Sequence, residues 1–275
     1  RQMCIRDRYY GLKIQYLYPF ISGKDFTYIP SPYLVVNAVT ESMLNRVTFR
    51  DNKLRRAIGK EVIESYLYNI VRQLDTVTWI SPELLYKKGK DKLLTSDVIA
   101  AEGDNVIFYD TKAITPSLKL RKFDVAEIEA DIEIYAEDVI QIYNQINNYL
   151  QGCFQLDKQY LKDKIFGIVV VLEDAVVSRK KVYEKVYEIL EKTETLDTEE
   201  KNYICSHIKV LPLRAIECMI LQNTSLLPEL IEQLSKPERW YDYTYTNATI
   251  ENGKIPLYSK YEKDLKSRIK NRIMG

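Results

Sequence analysis

The chain has 275 residues, of which 46% are hydrophobic and 29% are charged, the profile of an ordinary soluble globular protein. Its formal net charge of +1 excludes a strong overall field that would by itself direct the molecule to nucleic acid. Since no apolar run reaches the roughly 18 residues of a membrane span, we expect a cytoplasmic protein without a membrane partner.

Cysteine usage points away from zinc and from disulfides. The four cysteines are scattered without a CxxC pair, and the single histidine, His207, has no evident metal-ligating neighbours in sequence. Reduced thiols are therefore the expectation.

The amino terminus requires separate treatment. Residues 1–8, RQMCIRDR, resemble one translated frame of the transposase adapter used to prepare sequencing libraries. We expect these residues to be an artefact and the natural amino terminus to be missing. Residues 9–56 then form a truncated N-terminal segment that is rich in aromatic residues, with a helix predicted over 33–45.

The following residues predict a mixed α/β domain over 57–236. Apolar residues recur at three- and four-residue steps over 53–74, which predicts a helix. A β-branched strand over 76–80, a basic loop over 87–92, and two strands over 95–101 and 106–113 follow. Further on, the pattern predicts a helix over 132–150, a doubly buried strand over 165–173, a helix over 179–192, a strand over 207–213 and two helical stretches that end near 234. Residues 237–275 are predicted to form a basic, helical extension.

A tight hairpin between 95 and 113 contains two acids and a lysine. A two-residue turn at Gly103 and Asp104 would place Asp97 directly opposite Asp110, with Lys112 on the same face as Asp110. Facing carboxylates destabilise a ladder unless something compensates their charge, and a divalent cation held by hard oxygen ligands would do so. The alternative is a solvated face with a surface ion pair.

These residues resemble the motif of the PD-(D/E)XK nuclease superfamily. Asp97 in TSDVI and Asp110-Thr111-Lys112 in FYDTKA match its two strand motifs, although Ser96 replaces the proline. The helix glutamate of the pattern matches Glu64 in IGKEVIESYL, with Glu61 as the second choice. The resemblance spans residues 59–173 and implies a restriction-endonuclease-like fold with a mixed central sheet flanked by helices, in the element order αβββαβ.

A downstream element extends the resemblance. Gln145 and Tyr149, one helical turn apart, fit the QxxxY pattern of the exonuclease-like branches. In an unrelated helix the same two residues would be an interfacial edge.

The resemblance also implies roles for the residues. Asp97, Asp110 and the carbonyl of Thr111 would bind Mg²⁺ or Mn²⁺, and Lys112 would orient or activate a water molecule. Glu64 would support the metal shell or a second cation. Glu83 is either an additional ligand or an acid at the edge of a strand. The reaction would be the metal-assisted hydrolysis of a phosphodiester.

Two basic stretches indicate how nucleic acid would be held. They would grip backbone phosphates without reading sequence, or else form a solvated surface. The residues are Lys87, Lys88, Lys90, Lys92, Lys119, Arg121 and Lys122.

The resemblance therefore favours a DNA nuclease, and the habits of the superfamily, rather than any residue here, imply the setting of a restriction or phage-defence system. A partner subunit or a second copy of the chain is an expected partner, and RNA stays open as a substrate. The alternatives are a catalytically inactive protein of the same fold that binds DNA or a partner, and an α/β interaction protein whose motif is coincidental.

Overall fold

The computed structural model describes residues 20–29, 52–113, 125–172, 177–193, 195–213 and 215–217. The predictions for residues 1–8, for the helix over 33–45, for the second basic stretch and for the segment 237–275 lie outside these ranges. Within residues 20–29, two short strands, β1 (Ile21–Ser22) and β2 (Thr27–Tyr28), pair antiparallel.

A continuous run of helical backbone forms one layer. It consists of α1 (Asn52–Ile58), a π-helical segment (Gly59–Glu64) and α2 (Ser65–Val71). The apolar periodicity of the sequence is confirmed, because Leu67, Ile70 and Val71 are buried on one side of α2. The π segment is a feature that a 3.6-residue apolar pattern does not predict.

A five-stranded mixed sheet forms the centre, and its strands lie in the order β3 (Trp79–Pro82), β6 (Val98–Glu102), β7 (Asn105–Lys112), β8 (Ile165–Val171) and β9 (Ile208–Pro212). Strands β3, β6 and β7 pair antiparallel, whereas β7, β8 and β9 pair parallel. Strand β8 is buried along its whole length, as its uninterrupted apolar run predicts.

The register of the central hairpin is confirmed. Val98 pairs with Tyr109 and Glu102 pairs with Asn105, so that the turn consists of Gly103 and Asp104. Gly103 has φ of +58°, a left-handed conformation that glycine adopts without steric cost. Strand β6 begins at Val98, three residues later than predicted, and Asp97 therefore directly precedes the strand.

Three local differences from the predicted elements have physical reasons. The basic loop is a second hairpin, β4 (Leu85–Lys88) and β5 (Asp91–Leu94), which turns at Gly89 with φ of +63°. The strand predicted over 76–80 is shifted, and it includes Pro82 at the sheet edge, where a missing N–H is tolerated. The sequence does not predict the helix over 198–207, because apolar residues recur there only weakly at helical spacing.

Three helices cover the opposite face of the sheet. They are α3 (Val125–Leu150), α4 (Arg179–Leu190) and α5 (Thr198–His207). One apolar core lies between these helices and the sheet, and a second lies between α2 and the sheet. The result is a mixed α/β architecture with a mixed central sheet flanked by helices. No helix within the described ranges is long and apolar enough to cross a membrane.

Candidate active site

The candidate site lies where β7 ends, at the junction between the antiparallel and the parallel halves of the sheet. Phe108 belongs to the core on the α3 side and Tyr109 to the core on the α2 side. Since side chains alternate along a strand, Asp110 and Lys112 share the face of Phe108. Asp110 is buried, with 3% of its surface exposed.

Lys112 lies between two carboxylates. Its Nζ is 2.6 Å from Oδ2 of Asp110 and 3.4 Å from Oδ1 of Asp138 on α3. It also donates a hydrogen bond of 2.9 Å to Oε1 of Gln141. The Lys112 ammonium group is thus held by β7 and by the helix that covers it.

Asp97 is fixed at the start of β6 by donors from β7. Its Oδ2 accepts a hydrogen bond of 2.6 Å from the backbone N–H of Thr111 and one of 2.7 Å from the Thr111 hydroxyl. The last pair of the β6–β7 ladder is Val98 and Tyr109, and the two hydrogen bonds of Asp97 lie just beyond it. Asp97 therefore extends the hairpin by a side chain, which holds its carboxylate next to the Asp110-Thr111-Lys112 segment.

Glu64 approaches from the other layer. It is the last residue of the π segment, and Gly59 at the start of that segment would place a Cβ 3.4 Å from Cβ of Ala113, just beyond β7. Burial, and after it the charge of Asp97, raises the pKa of Glu64 to about 7, and Asp110 adds to this shift. Glu64 therefore lies within the electrostatic reach of both strand acids.

The two other candidate acids differ in their surroundings. Glu83 follows β3 and forms an ion pair of 3.5 Å with Lys60, and its charge also raises the pKa of Glu64. Glu61 is exposed on the π segment. The structure thus places Glu83 within electrostatic reach of Glu64 and leaves Glu61 facing solvent.

The two buried acids around Lys112, Asp110 and Asp138, both have raised pKa values. Burial raises the pKa of Asp110 to about 6; Lys112 opposes this shift and Asp97 adds to it. Burial likewise raises the pKa of Asp138 to about 6, against the effect of Lys112. Lys112 itself has a raised pKa, because the attraction of Asp110 and Asp138 exceeds the effect of its burial. Lys112 therefore stays charged, and its one charge is shared between the buried Asp110 and Asp138.

The chemistry of this donor set suits a hard divalent cation. Carboxylates of Asp97, Asp110 and Glu64 are the oxygen ligands that Mg²⁺ prefers, and a cation would relieve their mutual repulsion. Among the described residues, however, no three histidine, cysteine, aspartate or glutamate side chains already converge as metal ligands. One oxygen of Asp97 is bonded to Thr111, and one of Asp110 contacts Lys112. Metal binding would therefore require local rearrangement of side chains.

The two residues of the QxxxY pattern lie in different places. Gln145 is buried, and its Oε1 accepts a hydrogen bond from Ser96, the neighbour of Asp97. The Tyr149 hydroxyl accepts from the backbone of Tyr160 at 2.8 Å and donates to the carbonyl of Lys158 at 3.2 Å. The structure thus brings Gln145 to the candidate site and places Tyr149 against the loop after α3.

Two residues that contact Lys112, Asp138 and Gln141, are not predicted from the sequence. With Gln145 and Asn148 they form a polar stripe on α3, at steps of three, four and three residues, on the side that faces the hairpins. Polar residues at helical spacing inside an otherwise apolar face could have identified them, since buried polar groups need partners.

The basic hairpin is attached to the same stripe. Lys88 Nζ donates a hydrogen bond of 2.7 Å to Oδ1 of Asn148, whose Nδ2 donates to the hydroxyl of Tyr86 at 2.8 Å. Lys87, Lys90 and Lys92 are exposed, and Lys87 faces Lys92 across the ladder. The predicted lysines of this stretch are therefore available on the surface, apart from Lys88, which is tied to α3.

Comparison with known proteins adds little to this geometry. No protein family model matches the chain. A probable DNA-directed RNA polymerase from Gelasinospora sp. (strain G114) is 26% identical over 134 residues, which are 49% of this chain and 15% of that protein. The small subunit of the heterodimeric restriction endonuclease R.BspD6I aligns with 72% of this chain and 92% of its own, at 9% identity and a TM-score of 0.33. A TM-score of that size is too low to support an argument about this chain.

Proposed function

We propose that the chain is a metal-dependent nuclease that hydrolyses phosphodiester bonds in DNA. The observation that carries the proposal is the Asp110 and Lys112 pair beside Asp97 at the end of β7, with Glu64 within electrostatic reach. The order of these residues resembles the PD-(D/E)XK motif, and the mixed sheet flanked by helices is compatible with a restriction-endonuclease-like fold. When bound, Mg²⁺ or Mn²⁺ would polarise the phosphate and lower the pKa of a water molecule.

Each residue then has a role that its contacts support. Asp97, Asp110 and the Thr111 carbonyl would hold the cation, with Glu64 as a further carboxylate. Lys112, fixed by Gln141 and Asp138, would orient the attacking water or stabilise negative charge on the phosphate. Glu83 is an additional ligand in this proposal only if it leaves Lys60.

The exposed lysines would hold the DNA backbone. Lys87 and Lys92 face each other across the β4–β5 ladder, where like charges destabilise the pair unless an anion lies between or above them. A phosphate contacted by both would compensate that repulsion. A partner subunit or a second copy of the chain, and a restriction or phage-defence setting, belong to this proposal through the motif alone.

The test is cleavage of plasmid and single-stranded DNA with Mg²⁺ or Mn²⁺. We compare the intact chain with Lys112→Ala and, as a matched control, with Lys180→Ala, which removes a lysine that is 86% exposed on α4. Metal-dependent cutting that disappears only in Lys112→Ala supports the nuclease and its site together. If folded wild-type protein binds DNA and cuts neither substrate, the catalytically inactive alternative takes its place.

A further inference from the structure

We infer that Asp138 is a positioning residue that accepts the Lys112 ammonium group when a divalent cation binds Asp110. This inference rests on the proposed nuclease function and concerns how the metal and the lysine share one acid. Neither the motif nor its spacing includes Asp138, which lies 26 residues beyond Lys112 on a different element.

The geometry contains two carboxylates for one ammonium group. Lys112 Nζ is in direct contact with Asp110 Oδ2 at 2.6 Å, and it lies 3.4 Å from Asp138 Oδ1. Charge-assisted N–H···O bonds are about 2.7–2.9 Å long. Lys112 thus forms a short ion pair with Asp110 and a longer one with Asp138.

A cation at Asp110 would compete with the ammonium group. Asp110 is buried, and no donor other than Lys112 contacts its Oδ2 among the described residues. If this carboxylate held a metal ion, the ammonium group beside it would be repelled by the like charge. Because the Lys112 side chain is only 22% exposed, its displaced charge needs a new protein acceptor rather than water alone.

Asp138 can be that acceptor. Its Oδ2 is buried and has no hydrogen-bond partner among the described residues, while its Oδ1 already faces Lys112. Gln141 Oε1, at 2.9 Å from Nζ, can keep its bond while the ammonium group moves. A displacement of about 0.6 Å along the line to Asp138 would form a charge-assisted bond of ordinary length.

The consequence is that Asp138 controls metal affinity without touching the metal. With Asp138 present, the ion pair that Lys112 loses with Asp110 is replaced by one with Asp138, and the lysine stays charged beside the site. With an uncharged residue in its place, Asp110 would be the one ion-pair partner that Lys112 keeps among the described residues, and Lys112 would compete with the cation for it.

The test measures the binding of Mn²⁺ alone to the full chain by titration calorimetry, without DNA. We expect Asp138→Asn to raise the dissociation constant roughly tenfold, the usual scale for outer-shell partners of a metal ligand. Glu137→Gln is the matched control, because Glu137 is the neighbouring acid on α3 and is exposed. It should change the constant less than about twofold, since an exposed charge is largely screened by solvent.

Each outcome decides a separate point. If Asp138→Asn binds Mn²⁺ like the wild type, or if Glu137→Gln loses as much affinity, the role of Asp138 is overturned while the nuclease proposal stands. If the wild type binds no Mn²⁺, the metal-dependent function fails and the inference fails with it.

A second measurement needs no variant and covers the case in which Asp138→Asn does not fold. A crystal structure of the wild-type chain with Mn²⁺ should place Lys112 Nζ about 3 Å or less from an Asp138 oxygen and away from Asp110 Oδ2. An ammonium group that stays on Asp110 beside the bound metal would overturn the proposal.

Discussion

Glu64 shows most directly how the candidate site accumulates negative charge. It comes from a different layer than Asp97 and Asp110, and burial together with those charges raises its pKa to about 7 from an ordinary value of 4.5. A carboxyl with a raised pKa destabilises the folded state when it ionises. The folded protein is therefore less stable when Glu64 is ionised than when it is protonated, unless a cation binds beside it.

The first prediction concerns Glu64→Gln, in the absence of divalent metal. Below about pH 4.5 the glutamate is protonated in both the folded and the unfolded states. Between 4.5 and 7 the unfolded state ionises first, so the wild type loses folding stability as the pH rises. The variant cannot ionise, and its melting temperature should exceed that of the wild type by a margin that grows from pH 5 to pH 7.5.

Thermal melts at several pH values check this expectation. Glu61→Gln is the control, because Glu61 lies on the same π segment but is exposed. A pH-independent difference between Glu64→Gln and the wild type would show that the folded-state pKa of Glu64 is ordinary.

At the scale of elements, α3 lies very close to β8. A Cβ built on Gly167 would overlap Cγ2 of Ile142, so the helix can approach the strand this closely because residue 167 has no side chain. The polar stripe of α3 is carried by the same helix, and its distance from β7 depends on this contact. Gly167 therefore helps to set the position of Asp138 and Gln141 relative to Lys112.

The second prediction is that Gly167→Ala destabilises the protein by about 1–3 kcal/mol, the usual cost of overpacking a core. Ile142→Ala alone should cost about 2–5 kcal/mol through the cavity that it leaves. The double variant should cost less than the sum, because the added methyl group and the removed side chain share one space. Urea denaturation of the three variants measures the coupling, and simple additivity would place the two residues out of contact.

The basic hairpin is the element that carries the proposed DNA contacts. Its inner side is anchored, because Tyr86 packs against Phe154 with ring centroids 4.8 Å apart and Lys88 is bonded to Asn148. Its outer side has Lys87 opposite Lys92 and Leu85 opposite Leu94, all exposed. The hairpin thus combines an anchored inner side with an outer side that exposes Lys87 and Lys92 to solvent.

The third prediction is that Lys87→Ala combined with Lys92→Ala weakens DNA binding and makes it less dependent on salt. For two lost phosphate contacts on duplex DNA, the slope of log K against log salt should fall in magnitude by about 1.8. Fluorescence anisotropy at several salt concentrations, with Ca²⁺ in place of Mg²⁺ to suppress cutting, measures the slope.

The control for the hairpin is Lys180→Ala combined with Lys192→Ala. These lysines pair with Glu184 and Glu188, so their charge is already compensated. An equal loss of affinity in both double variants would assign the effect to net charge rather than to the hairpin.

At the scale of the whole molecule, the site connects the two sides of the sheet. Glu64 belongs to the helical layer that bounds one core, whereas Asp138 and Gln141 belong to the helix that bounds the other. Asp110 and Lys112 are on the strand between them. A ligand that links these groups would therefore stabilise the packing of both layers against the sheet.

The fourth prediction is that Mg²⁺ stabilises the entire described domain. A ligand that binds only the folded state at 100 times its dissociation constant adds about 2.7 kcal/mol to the free energy of unfolding. We expect a matching rise in the urea midpoint for the wild type and none for Asp110→Asn, which keeps the size of the side chain and removes its charge. Equal stabilisation of both proteins would place the cation elsewhere.

The sequence by itself determined those features that depend on neighbours along the chain. The alternation of strands and the tight turn at Gly103 specify the hairpin register, and with it the approach of Asp97 to Asp110, because turn length and the two-residue period leave one pairing. The apolar run of β8 specifies burial on both faces for the same kind of local reason. The choice of Glu64 over Glu61 rests on the resemblance; in the structure Glu64 is half-buried and Glu61 is exposed.

Only the tertiary structure decided which distant side chains surround these residues. Asp138 and Gln141 become partners of Lys112 because Gly167 lets α3 approach the sheet, and no local period encodes which strand a helix covers. The same holds for the π segment that carries Glu64 and for the anchoring of Lys88 by Asn148. Local patterns state which face of an element is buried, whereas the partner that buries it is chosen by packing over the whole chain.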